Sequence, residues 1–146
     1  MTIVKNLGFY CVLACLESFL ADIGRRKPWQ EIRDILYPEH LCDYAGTVPT
    51  LDAFRNGCQR LNIHTKEVAP HFPIRDEFWD GSLFILSTEG AFHCYRFYDQ
   101  LEPTKVLLMD PDHRKGEETA EFAIVNQPIF QAMNPRFYRL KSYRET

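Results

Sequence analysis

No apolar run in this sequence approaches the roughly 20 residues needed to span a bilayer, so no membrane-inserted helix is expected. CxxC pairs are absent, and so is any cysteine–histidine spacing of the zinc-finger kind. The five cysteines are an odd number, which argues against a secreted domain built on disulfides and for a reducing, cytoplasmic setting. Positive charge is also short: 17 Lys+Arg against 20 Asp+Glu leave a net charge of −3. Arg25-Arg26-Lys27 is too short to be the basic stripe of a nucleic-acid binder. No internal repeat or low-complexity segment divides the chain. What is present fits one domain over residues 1–146, long enough to bury a core. Its 45% apolar and 25% charged residues are ordinary for a globular protein. The aromatic share of 14% favours a packed core that includes strands.

Periodicity separates a helical first half from a strand-rich second half. From Phe9 to Gly24, Leu16, Phe19, Leu20 and Ile23 recur at steps of three and four and share a face, with Glu17 and Asp22 off it. Gly24 suits the left-handed turn that stops a helix. Val12-Leu13-Ala14-Cys15 resembles a lipoprotein cleavage box, but the helical pattern continues through Cys15 and argues against that reading. Pro28 suits the first turn of a second helix carrying Ile32, Ile35 and Leu36, which Pro38 ends. After an irregular stretch, Thr47 or Thr50 can cap a third helix with Leu51, Phe54, Cys58 and Leu61 inward. Ile63 to Ala69 reads as a short strand. Ser82 to Ser87, Ala91 to Tyr98 and Lys105 to Met109 read as an antiparallel meander, with a turn from Asp99 to Pro103. A helical segment near Phe130 and a closing strand over Phe137 to Leu140 complete the chain. Helices followed by an antiparallel sheet make an α+β arrangement.

Three residues could together perform cysteine catalysis, which needs a thiolate, a base and a group to orient the base. Cys11, at the mouth of the first helix, is the candidate nucleophile, because the positive end of a helix dipole favours a thiolate. His93 on the meander is the candidate base, and Asp110 at the end of the neighbouring strand is the candidate orienter. Each also has a plain structural reading: a packed cysteine, a satisfied histidine and an Asp-Pro turn. His40 and Cys42 lie in the irregular loop without the further ligands a metal requires. Cys15, Cys58 and Cys94 read as core, and His64 and His113 as solvent-facing.

Cys11, Ala14, Leu16 and Gly24 reproduce the spacing of the nucleophile helix of papain-like cysteine peptidases. The sequence most resembles the bacteriocin-processing peptidase domains, which trim double-glycine leaders, and their stand-alone relatives. Gly46-Thr47 to Leu61 is similar to that family's next helix, Phe84 to Leu86 and Phe92 to Tyr95 to its histidine-bearing strand pair, and Val106 to Pro111 to its strand ending in Asp-Pro. The resemblance covers nearly the whole chain in order. It implies a papain-like α+β fold, a Cys11–His93–Asp110 triad, a peptide or protein substrate, and no metal or organic cofactor. The chain departs from the pattern at Tyr10 and Val12, beside the nucleophile, where the family has Asp and Gly. The family's oxyanion glutamine falls at Lys5, so Asn6 is the candidate oxyanion donor and Lys5 the alternative. Two other functions are compatible with the resemblance: a catalytically weak peptide-binding module, and an acyltransferase or effector using the same triad.

Overall fold

The structure, a computed structural model, describes residues 11–36, 51–87, 93–109 and 122–142. Among the described residues, three helices come first: α1 (Cys11–Asp22), α2 (Trp29–Leu36) and α3 (Leu51–Arg60). The strands β1 (Ile63–Val68), β2 (Leu83–Ser87), β3 (His93–Glu102), β4 (Lys105–Met109) and β5 (Phe122–Asn126) follow. A short helix α4 (Gln127–Ala132) then leads into β6 (Pro135–Ser142). The sheet order is β1-β6-β2-β3-β4-β5, and every neighbouring pair is antiparallel. The expected meander is present, extended by β5, while β6 returns to fill the gap between β1 and β2.

Both faces of the sheet are covered at its centre. Phe84, Leu86, Cys94, Met109, Tyr138 and Leu140 pack against α1, α2 and α3. Leu83, Ile85, Phe97, Val106, Leu108 and Phe137 pack on the other face, with Ile74, Phe78 and Phe130. This explains the unbroken apolar run of β2, a strand buried on both sides.

The first helix differs from its expected amphipathic form. Every residue from Cys11 to Leu20 is buried, because α1 lies between β3 and α2. Glu17 is therefore buried rather than solvated, and Arg26 pairs with it at 2.8 Å. Ile23, expected on the apolar face, is exposed. The stop at Gly24 is as expected: its φ is +77°, Gly24 N–H donates to Ala21 O at 3.2 Å and Arg25 N–H to Leu20 O at 2.8 Å. That double bond pattern closes a helix over a left-handed residue.

Pro28 sits just ahead of α2, and its carbonyl accepts from the N–H groups of Glu31 and Ile32. The α2–α3 contact is close at Gly57, where a Cβ would lie 2.6 Å from Leu36 Cγ. Strand β3 runs on to Glu102, through the turn expected from Asp99, and register shifts after Phe97 and Gln100 accommodate the extra residues. Pro38, Thr47 and Thr50 lie outside the described residues. Among the described residues, no helix is long and apolar enough to cross a membrane.

Candidate active site

Cys11 is the first residue of α1 and is 4% exposed. Two sets of contacts give the direction of α1 over β3. Cys15 Sγ donates to the Cys94 carbonyl at 3.5 Å. Further along, Ser18 Oγ and Asp22 Oδ2 both accept from Arg96 Nη1, at 2.6 and 2.8 Å. Helix and strand therefore run the same way. Cys11 lies one turn, about 6 Å, behind Cys15, toward the end of β3 where His93 is the first residue. The candidate nucleophile and the candidate base thus come from the same end of adjoining elements.

The His93 ring packs edge-on against Tyr95, with centroids 4.4 Å apart. Tyr95 packs with the core on the sheet face away from α1, whereas Cys94 is buried on the α1 face. Across the strand pair, His93 is registered with Ser87 of β2, whose hydroxyl donates to the Met133 carbonyl at 2.8 Å. The expected hairpin between β3 and β4 forms with Arg96 opposite Met109 and Phe97 opposite Leu108. Asp110, Asn6 and Lys5 lie outside the described residues, as do His40, Cys42 and His113. His64 is exposed on β1. Among the described residues, no group of three or more His, Cys, Asp or Glu side chains is placed to hold a metal ion.

The other described cysteines are free, buried thiols. Burial pushes the Cys94 thiol well above its ordinary range, and its neighbour Cys15 adds to the effect. Burial alone raises Cys58 strongly. Both are packing groups, as their positions on the helix and strand patterns imply.

Sequence reasoning missed Arg96 as the residue that seats α1. It is 1% exposed. Besides Ser18 and Asp22, it bonds the Gly81 carbonyl through Nη2, and its guanidinium lies 5.6 Å from the Phe19 ring and 5.9 Å from that of Phe84. Its Nε has no hydrogen-bond partner among the described residues. One side chain thereby holds the Cys11 helix against the His93 strand. The available signal was an arginine at an inward position of β3, together with Ser18 and Asp22 four residues apart on one side of a helix.

Neither a known family model nor a curated protein matches the chain. Its structure is similar to the crystal structure of the peptidase domain of Streptococcus ComA, a bi-functional ABC transporter involved in a quorum-sensing pathway. The TM-score is 0.66 at 15% sequence identity, over 96% of this chain and 97% of that one. The likeness is one of fold, sustained over nearly the whole of both chains. The chain has a papain-like α+β fold, with helices packed on a six-stranded antiparallel sheet.

Proposed function

We propose that this chain is a cysteine peptidase related to the leader-processing peptidase domains, acting on a peptide bond with Cys11, His93 and Asp110. The observation that carries the reading is the shared direction of α1 and β3, which draws Cys11 and His93 toward one end of the sheet. Cys11 passes its thiol proton to His93, and the resulting thiolate attacks the carbonyl carbon while the negative charge moves to the carbonyl oxygen. The Cys11 backbone N–H and the Asn6 side chain, or Lys5 in its place, hold that oxyanion. His93 gives a proton to the departing amine and then takes one from the water that releases the acyl group. Asp110 orients the ring and balances its charge in the protonated state. The same acyl-enzyme can pass to an acceptor other than water, which makes transferases and effectors chemical neighbours of this reading. No metal or organic cofactor takes part, and the setting is cytoplasmic.

A library of unstructured peptides, read by mass spectrometry, tests this. Cleavage by the wild type that disappears in Cys11→Ala and in His93→Ala supports it. Cleavage retained in Cys11→Ala rules the triad out.

One observation favours a second reading, a peptide-binding module of the same fold. The His93 ring packs on Tyr95, which belongs to the sheet face away from α1, and Lys5, Tyr10 and Val12 depart from the peptidase pattern. That reading predicts saturable peptide binding without turnover, unchanged in Cys11→Ala.

A further inference from the structure

At the far end of α1 from Cys11, about 18 Å along the helix axis, four cations converge. Arg25, Arg26, Lys27 and Arg60 line a cleft of about 670 Å³, and no carboxylate lines it among the described residues. Its other walls include Ile23, Ile35 and Leu61. The chain as a whole carries −3, so this concentration of positive charge runs against the background. The first three cations are consecutive in sequence, while Arg60 is brought in by α3.

The four cations are not equivalent. Arg26 is paired with Glu17 and Lys27 with Glu31, at 2.8 and 3.2 Å. Arg25 bonds only neutral groups among the described residues: Ser142 Oγ at 2.8 Å and the Leu61 carbonyl at 2.9 Å. Arg60 likewise donates to the Leu36 carbonyl at 2.8 Å. These bonds satisfy carbonyls at the ends of α3 and α2, which is a structural role. They use two of the five N–H donors of Arg25 and one of those of Arg60. Among the described residues, these two guanidinium groups are thus held in place with their charge unmatched by any carboxylate and most of their donors uncommitted.

We infer that this cleft binds a phosphate-bearing small molecule with an aliphatic portion. A phosphate monoester carries about −1.5 to −2 charge near neutrality, which matches two unpaired guanidinium groups. Their planar forks suit its oxygens. The volume is that of a small-ligand site, and Ile23, Ile35 and Leu61 offer an apolar wall rather than a stacking platform. The inference is independent of the catalytic reading, since the cleft shares no residue with it.

Calorimetric titration at low ionic strength tests it, with hexyl phosphate, inorganic phosphate and a tetraglutamate peptide as probes. Saturable binding of hexyl phosphate is expected, about tenfold tighter than inorganic phosphate. Arg60→Gln keeps an N–H donor for the Leu36 carbonyl and should weaken hexyl phosphate about tenfold. Ile35→Ser should weaken hexyl phosphate and leave inorganic phosphate unchanged. Arg25→Gln serves as a second charge variant should Arg60→Gln fail to fold, and it too should bind more weakly. Absence of saturable binding to the wild type overturns the inference, as does equal affinity in the folded charge variants. Equal affinity for the two phosphates overturns the aliphatic portion, and tighter binding of the peptide assigns the cleft to an acidic polypeptide instead.

Discussion

Arg96 is a charge taken out of water and held by a few acceptors, so its partners carry large effects. Asp22→Ala removes the carboxylate paired with it and leaves, among the described residues, a buried guanidinium bonded to Ser18 and Gly81. A loss of about 3 kcal/mol is expected, measured by urea denaturation, with Asp22→Asn milder because it keeps a hydrogen-bond acceptor. Cys58 and Cys94 have the opposite character. Burial holds both as thiols, and the thiolate is the reactive form. Iodoacetamide at about pH 8 should therefore leave both unmodified in the folded protein and alkylate them in urea, as peptide mapping would show. The inward positions of Cys58 and Cys94 were legible in the sequence, since each follows from the period of its own element. The burial of Glu17 and Arg96 was not. A charged residue is kept inside only by partners, and the side chains that accept from Arg96, Ser18 and Asp22, lie more than 70 positions away.

Helix ends followed local chemistry, and so they could be read. Gly24 takes a φ of +77°, and a Cβ at this position would have nothing within 4 Å, so Gly24→Ala carries a conformational cost alone. That cost should be about 1 kcal/mol, seen as a shift in the urea midpoint with an unchanged slope. Gly57 differs, because its Cβ would meet Leu36 at 2.6 Å. Gly57→Ala should separate α2 from α3 at a cost of about 1–3 kcal/mol, and Leu36→Ala in the same chain should recover part of it. Periodicity was a poorer guide where burial is not one-sided. A helix buried all round has no single stripe to display, which is why α1 read as amphipathic. The alternation of β3 breaks at its register shifts, so a strand continuing to Glu102 read as a turn.

Cys11 and His93 begin α1 and β3, and at another place in the sheet one cross-strand pair links stability to pH. Arg136 of β6 grips Glu67 of β1 with both forks of its guanidinium. The hydrogen bond from Arg136 holds the Glu67 carboxyl below its usual range. A group depressed in the folded state stabilises above its ordinary pKa of about 4.3 and loses that contribution as the pH falls through its lowered value. Wild-type stability should therefore fall more steeply than that of Glu67→Gln on acidification below about pH 4.3, with the two converging in strong acid apart from the difference in side chain. The antiparallel sheet and its preceding helices were legible from the change of period along the chain. The placement of β6 between β1 and β2 was not, because strand order depends on which faces are covered and not on the strands' own patterns. For the site, the sequence offered Cys11, His93 and Asp110; α1 and β3 run the same way, and the proposed pairing of Cys11 with His93 rests on that shared direction. The most direct test of that pairing is covalent labelling by a peptidyl electrophile directed at thiols, with the adduct mapped by mass spectrometry. A single adduct on Cys11, lost in Cys11→Ala and slowed about a hundredfold or more in His93→Ala, is the predicted result. Equal labelling in Cys11→Ala, or an unchanged rate in His93→Ala, would contradict it.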